Sequence, residues 1–469
     1  MRRLIYIFII GLLLCSYTWA DGSRYASKSL LSEGKWVKIR VDKTGIYKLS
    51  YADLKNMGFS APSKVSVHGY GGWPLDEDFS KEYIDDVPST PVWRGSDYLL
   101  FYGKGPVKWE YDSSSQTFVH TNNPYSLYGY YFVTDATPTN DMTSVAQASG
   151  ATNRITTYDD YLVHEQELVS LAKSGRELYG EDFSGATPRT LSTFSSIPGI
   201  TNEDAKVTMS FVSKVTSGTG VASLSINQSN VLDVSIRSNR EEYVKALEGV
   251  STAVWKGEKS EKNSVVVSYN SASHNNVRLN YVRLHFKRTL QLYGAYTFFR
   301  SIASIGNVSR FVVQGANANT LVFDVTDAQR VRLMETELNG SELTFSIPAG
   351  TLREFVLVRT DQSFISPEVV GEVENQNLHA LEQKDMIIIA AKAFQTQAER
   401  LAEEHRATDG LTVEVVDPQS IYNEFSSGAP DATAYRRFMK MFYDRSVSAG
   451  NAPKYLLLFG DGIYDNRGI

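Results

Sequence analysis

At 469 residues, with 42% hydrophobic and 21% charged residues, the chain has an ordinary folded composition and room for two or three domains, since single cores rarely grow past about 250 to 300 residues. A net charge of -6 and the lack of any long Lys/Arg run exclude an electrostatic case for nucleic acid as a partner. Aromatic residues at 12%, with 27 Tyr among them, lean toward β-structure.

Residues 1–20 read as an export signal. Arg2 and Arg3 form the basic start, Leu4 to Cys15 the apolar core, and SYTWA a short exit ending on a small residue, so cleavage is expected after Ala20. The apolar stretch falls short of the roughly 17 to 25 residues a membrane span needs, and Leu14 is too large to precede a lipidated cysteine. The mature chain is expected to be exported and soluble beyond the inner membrane. Cys15 is the single cysteine and leaves with the signal. The mature product then has no disulfide, thiolate metal ligand or cysteine nucleophile.

Residues 21–152 are expected to form a β-rich N-terminal domain. KWVKIRV alternates with period two, DKTG makes the turn, GIYKLS returns, and KVSVHGYGG repeats the habit. One short helix interrupts them in SYADLKNMG: Ser50 is placed to cap it, Asp53 suits its positive end, and Gly58 supplies a left-handed exit. Residues 153–373 continue the β-habit with KVTMSFVSKV, VRLNYVRLHFKRTL, SRFVVQG, TLVFDV and REFVLVRT, a spacing that suggests a sandwich.

In residues 374–469 the pattern changes. DMIIIA, LTVEVV and YLLLF are continuous apolar strands, separated by the amphipathic FQTQAERLAEEHRA and by DATAYRRFMKMFYDRSV. Strands of this kind alternating with helices predict a doubly wound parallel α/β sheet covered on both faces. Ala398, Leu401 and Ala402 fall on the apolar stripe of the first helix.

Sites in such sheets lie beyond the carboxyl ends of the strands. Gly460 and Asp461 occupy that position after YLLLF, with Asp465 close behind. A carboxylate there can orient a histidine, bind a cation or recognise a basic side chain. The plainer alternative is a turn shaped by Asp461 and Asn466. The seven histidines lack HExxH or HxxxH spacing and read as surface or packing residues, so no metal site is expected. GYGGWP lacks the GxGxxG and GxxxxGK[ST] frames, and no GxSxG elbow appears, so no cofactor is expected. The Tyr and Phe wealth would suit a sugar-binding surface, although in alternating strands such residues more often form core.

Several stretches together resemble the gingipain-like cysteine peptidases, in particular the sortase of the type IX secretion system: GKWVKIRVDKTGIYKLSYADL, SGRELYGEDFS, IYNEFSSGAPDATAYRRFMKMFYDR and PKYLLLFGDGIYDNR. The resemblance implies a caspase/gingipain-like α/β domain and a place at the outer membrane or cell surface. The implied partners are secreted cargo proteins with C-terminal export domains and an outer-membrane β-barrel of the secretion system. It also implies acyl transfer by a Cys thiolate, with a His managing protons and backbone N–H groups stabilising the oxyanion. The product is a cleaved cargo whose new carboxyl end can be joined to a surface lipopolysaccharide. The family's Cys and His are expected beyond Ile469, so only Gly460 and Asp461 carry over, as site-forming residues. On this reading the sequence is a fragment of a longer gene, 374–469 is the first part of the peptidase domain, and YLLLF is left as an apolar edge. A non-catalytic surface or export module is the alternative, because the mature chain has no thiol. A nucleotide- or phosphate-binding domain is disfavoured by the missing glycine frames and by the export signal.

Overall fold

The computed structural model describes residues 24–173, 176–185, 188–271, 274–446 and 450–468. Cys15 and the expected cleavage after Ala20 lie outside the described residues. The architecture is strand-rich and multidomain, with the few longer helices gathered after residue 394.

The first β-unit packs two sheets face to face. A five-stranded sheet runs in the order Glu368–Val373, Trp36–Val41, Gly129–Thr134, Ser66–His68, Ser89–Thr90, and a three-stranded sheet in the order Gly45–Ser50, Tyr98–Gly103, Val92–Arg94. Their inner faces meet in a core that includes Val37, Ile39, Tyr47, Leu49, Phe101 and Tyr131. This corrects the expected hairpin at DKTG. Trp36–Val41 pairs with Gly129–Thr134 and Glu368–Val373, whereas Gly45–Ser50 pairs with Tyr98–Gly103. Both segments are apolar enough to bury a face, so the chain arches from one sheet to the other and stacks them. The helix Tyr51–Asn56 follows as expected: Ser50 Oγ accepts from Asp53 N at 3.0 Å, Asp53 Oδ2 accepts from Ser50 N at 3.3 Å, and Gly58 leaves with φ +91°.

The central region is built on one nine-stranded sheet that includes Thr157–Glu165, Ala205–Val215, Leu247–Trp255, His274–Thr289, Tyr296–Arg300 and Glu354–Arg359. Two four-stranded sheets cover different parts of it. One contributes Thr219–Ile226, Ser229–Arg237 and Val265–Asn270 to a core around Phe211, Leu224 and Val267. The other contributes Asn307–Val313 and Glu342–Ala349 to a core around Phe299, Phe311, Phe345 and Phe355. Period-two alternation is what allows one face of each strand to enter these cores.

The last unit is a parallel sheet in the order Val413–Val416, Met386–Ala390, Tyr455–Phe459. The helix Gln395–Thr408 covers one face, placing Ala398 and Ala402 against Met386, Ile388 and Ala390. On the other face Ile387, Ile389 and Val416 meet Ile421, Phe425, Phe438 and Phe442 from the helices Pro418–Phe425 and Thr433–Ser446. No helix among the described residues is long and apolar enough to cross a membrane.

Candidate functional site

The strand order places a topological switch point between Met386–Ala390 and Tyr455–Phe459, where open parallel sheets hold their ligands. Gly460 and Asp461 follow the carboxyl end of the outer strand there. Gly460 has φ +151°, and a Cβ built on it would meet nothing within 4 Å, so backbone conformation rather than space favours glycine. Asp461 is exposed, and its Oδ1 accepts from Gly462 N at 2.8 Å, a contact that shapes the turn. Around the same end lie Lys392 and Asp417. Burial raises the Asp417 carboxyl above the ordinary aspartate value, against the bond from Gln419 N and the nearby Lys392 charge. Asp417 also heads Pro418–Phe425, a helix absent from the sequence expectations although an Asp followed by Pro is a legible start.

The chain beyond Asp461 crosses to the central sheet. Asp465 Oδ1 accepts from Gly468 N at 2.9 Å, and Arg467 forms a two-pronged pair with Glu167 at 2.6 and 2.7 Å. Arg467 therefore fixes the segment that carries Gly460 and Asp461 against a residue 300 positions earlier in the sequence.

Two further contacts seat the α/β unit on the first β-unit. The loop of EFSSGAP enters the five-stranded sheet: Lys38 Nζ donates to Gly428 O at 2.6 Å, Ser427 Oγ donates to Tyr130 O at 3.0 Å, and Tyr70 N donates to Ser427 Oγ at 3.0 Å. Burial pulls the Lys38 ammonium down to about 7. Nearby, His379 stacks on Phe425 and bridges Glu424 at Nδ1 and Asp85 at Nε2, the latter at 3.0 Å. Burial alone would lower its pKa, but hydrogen bonds and charge from Asp85 and Glu424 outweigh that and raise it to about 9.

Asp86, His379 and Glu424 bring one possible ligand atom each within 4.8 Å of one another. Their oxygens are already engaged. Glu424 Oε1 accepts from Gln376 Nε2 and Leu378 N, both at 2.8 Å, and Asp86 accepts from Ser29 Oγ at 2.8 Å and Leu30 N at 2.7 Å. The cluster is arranged to hold a proton on His379. Spacing could not reveal it, because His379 and Glu424 are 45 residues apart.

Residues 379–468 match the family model described as peptidase family C25. The crystal structure of dimeric latent PorU from Porphyromonas gingivalis matches with a TM-score of 0.88 and 34% identity, over 94% of this chain and 43% of that one. This chain thus spans less than half the length of that relative. A Paenibacillus sp. cycloisomaltooligosaccharide glucanotransferase covers 46% of this chain and 48% of its own at 10% identity and a TM-score of 0.12, too low to carry any argument. The same holds for infectious bursal disease virus, at 80% and 72% coverage, 10% identity and a TM-score of 0.16. No curated protein matches. The chain is a relative of PorU, with peptidase family C25 sequence over residues 379–468.

Proposed function

We propose that the protein serves as the sortase-type cysteine peptidase of a type IX secretion system. It removes the C-terminal export domain from arriving cargo and joins the new carboxyl end to a surface lipopolysaccharide. It works at the outer membrane or cell surface, beside a β-barrel partner of the same system. The observation that supports this reading is the similarity to PorU along 94% of the chain.

In this reading Gly460 and Asp461 form one wall of the cleft, and the EFSSGAP loop and Arg467 hold that wall against the β-modules. In the same reading the histidine that serves the attacking thiol is assigned to polypeptide outside the described residues only by the resemblance to the peptidase family, and the thiol itself comes from there, since Cys15 is the single cysteine of the sequence. That same fact favours a second reading, a non-catalytic export module that binds cargo.

Treating the native gene product with a thiol-directed peptidase probe tests the choice. Covalent labelling that competes with cargo supports the peptidase. Cargo binding without labelling supports the module.

A further inference from the structure

We propose that residues 24–30 are a detachable strap, an N-terminal arm whose seating locks the α/β unit onto the first β-unit and whose release loosens the helix Thr433–Ser446 without unfolding the β-modules. The strap does not depend on the peptidase reading, because it rests only on contacts between the arm and the two units it joins.

Tyr25 is the plug. It is 6% exposed and belongs to the same core as Ile387, Phe438, Met441 and Phe442. Its hydroxyl donates to Asp444 Oδ2 at 2.6 Å, which leaves the oxygen to accept from the Tyr83 hydroxyl at 2.7 Å. Burial, then the bonds with Asp444 and Tyr83, raise the phenol far above the ordinary tyrosine value, so it keeps the proton that it donates. The ring is thus held by a carboxylate of the α/β unit and by a tyrosine in the loop that leads to Ser89–Thr90 of the first β-unit.

The backbone of the arm is clamped from the same two sides. Ala26 N donates to Asp85 Oδ2 at 2.8 Å and Leu30 N to Asp86 Oδ2 at 2.7 Å, both in the first β-unit, while Ser29 N donates to Asn377 Oδ1 at 2.9 Å. Arg445 spreads its guanidinium between arm and α/β unit, Nη2 donating to Ala26 O and Nη1 to His379 O, both at 2.8 Å.

In each of these bonds the partner of the arm is a side chain. Among the described residues, none of 24–30 belongs to a strand, and Ser27 and Lys28 at the middle of the arm are exposed. A segment held by one plug and by side-chain clamps can open without breaking a sheet ladder, which places it at the low-stability end of the fold. Its root stays fixed, because Leu31 is buried with Trp36, Val87 and Phe132. Release withdraws Tyr25 from the core under Thr433–Ser446 and frees Asp444 and Arg445 at the end of that helix. Arm and helix therefore open together.

Hydrogen exchange of the full chain, followed by mass spectrometry, tests the strap from both sides. Tyr25→Phe removes only the hydroxyl, and Asp444→Asn weakens the same bond from the helix. In each variant residues 24–30 and Thr433–Ser446 are expected to exchange about tenfold faster, as loss of one hydrogen bond to a carboxylate implies, while Ala205–Val215 keeps the parental rate. Tyr25→Ala, which also removes the plug, is expected to move the same two segments further. If that variant loses its cooperative melt, the two conservative variants carry the test. Unchanged exchange of the helix in Tyr25→Phe, unchanged exchange of the arm in Asp444→Asn, or equal acceleration in Ala205–Val215 would overturn the proposal.

Discussion

Lys38 Nζ donates to the carbonyl of Gly428 at 2.6 Å across a separation of 390 residues, joining the first β-unit to the α/β unit. The ammonium also lies 4.4 Å from the Tyr130 ring centroid. Burial holds its pKa down near 7 against 10.5 in the free side chain.

Between about pH 7 and 10.5 the unfolded chain keeps a proton on Lys38 that the folded chain releases, so stability contributed by this group rises with pH through that window. Lys38→Met removes the titration. Its melting temperature relative to the parent is therefore expected to be most favourable at pH 6 and to fall steadily toward pH 10. An offset constant across that range would contradict the assignment.

His379 titrates in the opposite sense. Its folded pKa, raised to about 9, lies above the ordinary 6.5, so its stabilisation is fully present below about 6.5 and is lost as pH rises through 9. His379→Gln leaves the fully buried Glu424 without its cation. A loss of about 3–5 kcal/mol is expected at pH 6, the cost typical of breaking a buried ion pair. Urea unfolding at pH 6 and pH 9.5 should show the gap to the parent narrowing at the higher pH.

Gly428 has φ +86°, and a Cβ on it would lie 2.6 Å from Lys38 Cε. Gly428→Ala is expected to cost about 1–2 kcal/mol from the left-handed backbone alone, with a further loss from displacing Lys38. Shortening the neighbour in Lys38→Ala relieves the second part. The double variant should therefore lose less than the sum of the two single losses in denaturant titrations.

At the outer edge of the parallel sheet Leu456 and Leu458 are 46% and 59% exposed, while Leu457 packs inward. An exposed apolar edge strand is a template for self-association. Leu458→Lys should leave unfolding free energy within about 0.5 kcal/mol of the parent and reduce light scattering of concentrated solutions. Equal scattering from the two proteins would count against the edge as the sticky element.

Local patterns were legible where the physics is local. The Ser50 and Asp53 cap, the long strands of the central sheet, and the alternation of Met386–Ala390, Gln395–Thr408 and Val413–Val416 all follow from short-range periodicity. The arch at DKTG was not legible, because pairing partners for its two strands lie far away at Gly129–Thr134 and Tyr98–Gly103. Sequence placed Gly460 and Asp461 at a strand end, but the residues that seat this unit were hidden. Lys38 reads as one more polar position in an alternating strand, and His379 as an isolated histidine. Their significance comes only from Gly428, Asp85 and Glu424.

The proposed function requires a thiol-dependent processing of cargo. The most direct measurement incubates the native gene product with a cargo bearing its C-terminal export domain, with and without prior iodoacetamide, and follows release of that domain by mass spectrometry. Release that alkylation abolishes is the expected result. Cargo that binds but stays intact, or cleavage indifferent to alkylation, would contradict it.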